Sequence, residues 1–206
     1  MTAGKIHLEF LLEGETAEVV LEALLPKMLP PAVTYTLHGL QGKDKLLKKL
    51  PERLRGYRAW LPSDWKIVIL RDNDSEDCKK LRKHLDDIVI RENFALFSNT
   101  DPDKKGNVVI RLAIQEMEAW FFGDVKALRQ AYPRLPATLH NKKGYRQPDA
   151  IASPWLKLEK LLKAAGYHPG GKREVAREIS PHLEPSRNRS QSFQLFRQTL
   201  MHVCQC

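Results

Sequence analysis

The chain opens on an alternating stretch, Lys5–Leu12, in which Ile6, Leu8, Phe10 and Leu12 interleave with His7 and Glu9. That is the period of a half-buried strand, and it stops at Glu13-Gly14. From Thr16 the spacing turns helical through Val20, Leu21, Leu24, Leu25 and Met28. Pro26 is expected to kink or shorten this helix, and Pro30-Pro31 to end it. Val33–Leu37 reads as a second strand, and Gly42–Arg58 as a basic helix with a break expected at Pro51. Lys66–Leu70 then carries Ile67-Val68-Ile69-Leu70 without alternation, which suits a strand covered on both faces. It runs into Arg71-Asp72-Asn73-Asp74 and is followed by a helix with Cys78, Leu81, Leu85 and Ile88 on one stripe. A further strand, Val108–Ile114, leads into Gln115–Phe122. The order predicts an α/β protein, with a Rossmann-like, mostly parallel sheet flanked by helices over about the first 125 residues. Val125–Tyr132, Trp155–Ala165, Lys172–Ile179 and Ser192–Val203 read as helices, with a polar loop at Leu139–Asp149.

Length and charge refine this. At 206 residues the chain suits one domain or one domain with a substantial extension. Residues 1–125 hold 19 basic and 20 acidic side chains, whereas residues 126–206 hold 15 and 5. We therefore expect a sheet domain over 1–125 and a basic, mainly helical C-terminal extension over 126–206, the latter facing a polyanion such as nucleic acid. A solvated basic surface is the plainer alternative. No apolar run approaches the roughly 18 residues of a membrane span, and Glu9 and Glu13 interrupt the opening apolar stretch, so no signal peptide is read. Cys78, Cys204 and Cys206 form no secreted-type framework, which points to the cytoplasm. The closing His202-Val203-Cys204-Gln205-Cys206 reads as a frayed end rather than a metal site.

The candidate chemistry lies after the strands, where open parallel sheets bind ligands. Glu13 follows the first strand; Asp72 and Asp74 follow the apolar one. If the extended backbone persists, Asp72 and Asp74 point the same way and can share one hard cation. Each piece alone also reads as turn or cap chemistry, with Asp74 or Ser75 capping the next helix; together they favour a metal site. Asp72–Lys83 is no EF-hand loop, since Asp77 and Lys83 stand where Gly and Glu are needed. Glu116 reads as solvated, while Glu118 leans toward the site. The chain lacks phosphate-binding, dinucleotide-binding and serine-hydrolase glycine motifs, and none of its seven histidines stands at zinc-protease spacing.

Phe10-Leu11-Leu12-Glu13-Gly14-Glu15-Thr16, followed by Ile67–Leu70 with Asp72-Asn73-Asp74, resembles a TOPRIM domain, the metal fold of topoisomerases, primases and the overcoming-lysogenization-defect nucleases. Gln115–Trp120, Trp155–Leu162, Tyr167 with Lys172, and Ser192-Phe193 resemble a narrower TOPRIM-like group, domain of unknown function 4276, whose relatives accompany ATPases in anti-phage defence. The resemblance implies a Mg²⁺- or Mn²⁺-dependent nuclease. In it Glu13 is general acid/base or metal ligand, Asp72 and Asp74 bind metal, and Glu118 completes a second metal position. Ala17 and Glu18 depart from the family's Thr-Glu order, and Arg71 is placed to pair with a carboxylate and weaken metal binding. Lys48, Lys49, Lys142, Lys143, Arg146, Arg187 and Arg189 are expected to meet backbone phosphates, DNA ahead of RNA. A partner ATPase and a homo-oligomer are further expectations. The alternative is a non-catalytic nucleic-acid-binding or partner-docking subunit.

Overall fold

A computed structural model describes residues 6–98 and 106–204. Four strands, β1 (His7–Leu12), β2 (Thr34–Gly39), β3 (Trp65–Asp72) and β4 (Val108–Ala113), form an all-parallel sheet in the order β2-β1-β3-β4. Eight α-helices accompany them among the described residues: α1 (Glu15–Met28), α2 (Lys43–Trp60), α3 (Cys78–Arg91), α4 (Ala119–Gly123), α5 (Val125–Ala131), α6 (Pro154–Ala164), α7 (Lys172–Ile179) and α8 (Gln191–Val203). Lys5, the expected start of β1, lies outside the described residues.

Alternation along the strands builds the two faces. Leu8, Phe10 and Leu12 of β1, Val68 and Leu70 of β3, and Val109 of β4 meet α1 and the C-terminal helices. Leu11, Ile67, Ile69 and Ile110 face the other way, onto α2 and α3. Both faces of β3 are thus covered, which is why its sequence shows no polar alternation.

Pro51 lies inside α2 and does not end it. Leu46, Leu50, Leu54 and Tyr57 are buried on both sides of the proline, so one continuous apolar stripe holds the helix to the sheet across the lost backbone hydrogen bond. The same holds for Pro26 within α1. The polar stretch 139–149 contains two short 3-10 turns, at Leu139–Asn141 and Pro148–Ala150.

The C-terminal helices complete the first face. Phe196 of α8 packs 6.5 Å from Phe10, centroid to centroid, and 5.4 Å from Trp120, whose indole N–H donates to Ser192 Oγ at 3.0 Å. Asp124, which is buried, joins this layer internally. It accepts from Ala127 N to cap α5, from Glu184 N, and from both Nε and Nη2 of Arg187 at 2.7 and 2.8 Å.

Candidate functional site

The chain leaves β1 for β2 on one side, then crosses to β3 on the other, so the carboxyl ends of β1 and β3 flank a crevice. Glu13 follows one strand and Asp72 ends the other. Asp77, not Asp74 or Ser75, caps α3, its carboxylate accepting from Lys79 N and Lys80 N. Asp74 is therefore spared the capping role that a D-x-D sequence often serves. The extension does not persist through the motif, because Asp74 has φ 49°. A left-handed non-glycine residue costs free energy and is retained where surrounding bonds fix it. Here Asp74 N donates to Gln115 O at 2.7 Å, and Gln115 itself sits at φ 62°.

Asn73, the middle residue, makes that clamp. Its side-chain carbonyl accepts from Gln115 N at 2.6 Å and its amide donates to Glu76 O, while its backbone N–H donates to Ala113 O. The loop after β3 is thereby tied to the loop after β4, and this carries Glu118 to the crevice as the residue preceding α4.

The electrostatics are those of crowded carboxylates. Asp72 is pushed well above the ordinary aspartate range by burial first, then by the negative charges of Glu118 and Glu13. Glu13 is raised by burial and by Asp74, against the pull of Arg71. Glu118, 1% exposed, is raised by burial, against Lys172. Two carboxylate oxygens here, Glu13 Oε2 and Glu118 Oε2, are buried and accept no hydrogen bond. So the structure brings together Glu13, Asp72, Asp74 and Glu118 as a coupled set.

Three cations counter them. Arg71, itself 1% exposed, places Nε 3.7 Å from Glu13 Oε2 and donates from Nη2 to Glu76 Oε1 at 2.5 Å. Lys43 reaches Asp74 at 3.3 Å. Lys172 lies 3.3 Å from Glu116 and 3.5 Å from Glu118. Burial alone would lower the Lys172 pKa, but Glu118 and Glu116 outweigh it and hold it raised.

Glu116 is not a solvated helix residue. It lies in the turn before α4, accepts from Trp155 N at 2.7 Å, and so fixes the start of α6 as well as Lys172. Lys172 enters the site from 100 residues after Asp72; the resemblance marks it together with Tyr167 but gives it no role at the carboxylates. Glu18 stands outside the cluster: it accepts from Gly39 N at 2.5 Å, and its carboxyl fills the space a Cβ at Gly39 would need.

The basic residues are dispersed. Lys48 and Lys49 are exposed on α2; Lys142, Lys143 and Arg146 are exposed in the loop before α6. Arg189 is exposed and donates to Arg146 O, and Arg187 is committed to buried Asp124. Tyr145 packs 5.6 Å from Phe122 with Lys157 over its ring, and Trp155 is partly buried in the core. Cys206 lies outside the described residues.

Hard oxygen donors with unsatisfied lone pairs fit a divalent cation such as Mg²⁺. Among the described residues, no three His, Cys, Asp or Glu side chains already stand in a geometry that holds one.

Fold and site together define an α/β protein with a parallel sheet and a carboxylate cluster at its carboxyl edge. The chain belongs to the family described as Domain of unknown function (DUF4276), which matches residues 12–201. It is also similar to the C-terminal region of the Burkholderia pseudomallei OLD protein, with 16% identity, a TM-score of 0.45, and coverage of 96% of this chain and 100% of that one. No curated protein matches it. No described helix is long and apolar enough to cross a membrane.

Proposed function

We propose that this protein is a metal-dependent nuclease that hydrolyses nucleic-acid phosphodiester bonds. The observation that carries the reading is the pair of buried carboxylate oxygens on Glu13 and Glu118, beside an Asp72 whose ionisation its neighbours oppose. Lys43, Arg71 and Lys172 balance this set only in part, and a divalent cation would satisfy the oxygens they leave without a hydrogen bond. Asp72, Asp74, Glu13 and Glu118 would hold Mg²⁺ or Mn²⁺, which supplies charge neutralisation at the phosphate and an activated water. Glu13, with its raised pKa, is suited to move a proton as general acid/base. Lys172, held by Glu116 and Glu118, is placed to meet the negative charge that grows on a phosphate during attack. The exposed Lys142, Lys143 and Arg146 would contact backbone phosphates, DNA ahead of RNA. We read residues 1–125 as the carrier of the carboxylates and 126–206 as the basic partner segment. By the TOPRIM-like resemblance alone, the setting is a cytoplasmic defence effector working with a partner ATPase.

A second reading has its own observation: Lys43, Arg71 and Lys172 already pair with the carboxylates, as a non-catalytic docking subunit would allow. Calorimetry of Mn²⁺ binding separates the two. Saturable binding that Asp72→Ala abolishes supports the nuclease; no binding in the wild type, with or without nucleic acid, leaves the docking subunit.

A further inference from the structure

The basic helix read from Gly42–Arg58 is α2. Within its 18 residues α2 carries seven Lys and Arg against Asp44 and Glu52. Its buried stripe is Leu46, Leu50, Leu54 and Tyr57, so the neighbouring face bearing Lys45, Lys49, Arg53, Gly56 and Trp60 looks outward. The helix runs from the carboxylate edge, where Lys43 meets Asp74, to the opposite end of the sheet, where Trp60 meets Trp65 at the start of β3. That is a path of about 26 Å at 1.5 Å per residue.

Trp60 is the unusual member. It is 56% exposed, yet it is not loose. Its ring stands 5.5 Å from Tyr57 and 5.6 Å, edge-on, from Trp65. Tyr57 is in turn fixed by donating its hydroxyl to buried Glu9 at 2.8 Å. A large aromatic ring is thus braced from behind with its outer surface open to water, a preorganised stacking surface.

One turn before it lies Gly56, inside the helix, where glycine costs about 1 kcal/mol relative to alanine. No packing demands it, since a Cβ there would meet nothing within 4 Å. Gly56 lines a shallow, open slot of about 390 Å³ together with Lys49, Glu52, Arg53, Tyr57 and Trp60. Glu52 is the single acid in that wall.

We propose that the outward face of α2 is a track for single-stranded nucleic acid, in which Lys45, Lys49 and Arg53 take backbone phosphates and Trp60 takes a base in the slot over Gly56. This deepens the nuclease reading by naming the form of its polymer, and it rests on that reading only for what happens at the far end of the track. A stacking ring needs an unpaired base, which a duplex does not present.

The test is binding of a fluorescein-labelled single-stranded oligonucleotide, and of the same sequence as a duplex, to the full chain in EDTA. Stacking on one aromatic ring predicts that Trp60→Ala weakens single-strand binding between about 5- and 150-fold, that Trp60→Phe retains most of it, and that duplex binding is little changed. Lys49→Ala and Arg53→Ala should each lower the salt slope by about 0.7. Gly56→Leu should raise the melting temperature by strengthening the helix while weakening binding by filling the slot, opposite signs that misfolding cannot produce. Wild type that binds no single strand, or Trp60→Ala that binds as tightly as wild type, overturns the track. An intact strand-binding pattern in a protein that binds no Mn²⁺, with or without the oligonucleotide, overturns the nuclease reading alone.

Discussion

Asp72 ends β3 with burial, Glu118 and Glu13 all opposing its charge. The unfolded chain imposes no such opposition, so between the ordinary carboxylate pKa and the raised one the folded state holds more protons than the unfolded. Without metal, this contribution to stability therefore falls as pH rises through that window, and the full penalty stands above it. Asp72→Asn removes the penalty. We expect the variant in EDTA at pH 7.5 to melt above the wild type by roughly 2–4 °C per kcal/mol relieved, with the gain fading toward pH 4. Divalent metal should then stabilise the wild type and not the variant. Differential scanning calorimetry at the two pH values decides it, and a lower melting temperature for the variant in EDTA would refute the crowding. Asn73 acts by geometry rather than charge: Asn73→Ala leaves Gln115 N without its acceptor and should cost about 1–3 kcal/mol in urea denaturation. The two aspartates were legible in the sequence as strand-end carboxylates. The clamp between them was not, because its partner lies 42 residues away.

At the scale of elements, the same contrast recurs. β3 and α3 announced themselves by an unbroken apolar run and a heptad-like stripe, and α2 by its leucines, although its proline argued for a stop. Five-residue α4 gave no periodic signal of its own. What fixes it is distant: Asn188 donates to Trp120 O, and Asp124 at its end binds Arg187. The sequence assigns Arg187 to a phosphate contact, whereas its guanidinium spans two elements through the buried Asp124 carboxylate. Asp124→Ala should therefore cost about 2–4 kcal/mol by chemical denaturation, since it uncaps α5 and leaves Glu184 N without its acceptor, while Arg187 keeps access to water. Arg187→Ala should lose stability before it loses nucleic-acid affinity. The exposed trio Lys142, Lys143 and Arg146 should behave in the reverse way: replacing all three should weaken binding at every sequence and flatten its salt dependence, with melting temperature unchanged.

Across the whole molecule, sequence halves and spatial halves do not coincide. The near-neutral sum over residues 1–125 mixes the basic α2, legible as such in Gly42–Arg58, with the acids of the other elements, so the C-terminal segment holds no monopoly on positive charge. Pattern along the chain revealed the parallel sheet; it could not place Lys172 at the carboxylates, because its partner Glu118 lies far from it in the chain. The packing of Phe196 on Phe10 has a consequence in time as well as in space. During synthesis β1 emerges from the ribosome nearly two hundred residues before the helix that seals it, and Glu13 waits about 160 residues for the layer that delivers Lys172. Contacts of such long range are slow to close. Until that layer is made, the carboxylates face Lys43 and Arg71 but not Lys172, and one face of the sheet lies uncovered, so the acidic cluster is assembled before its counter-charge is complete.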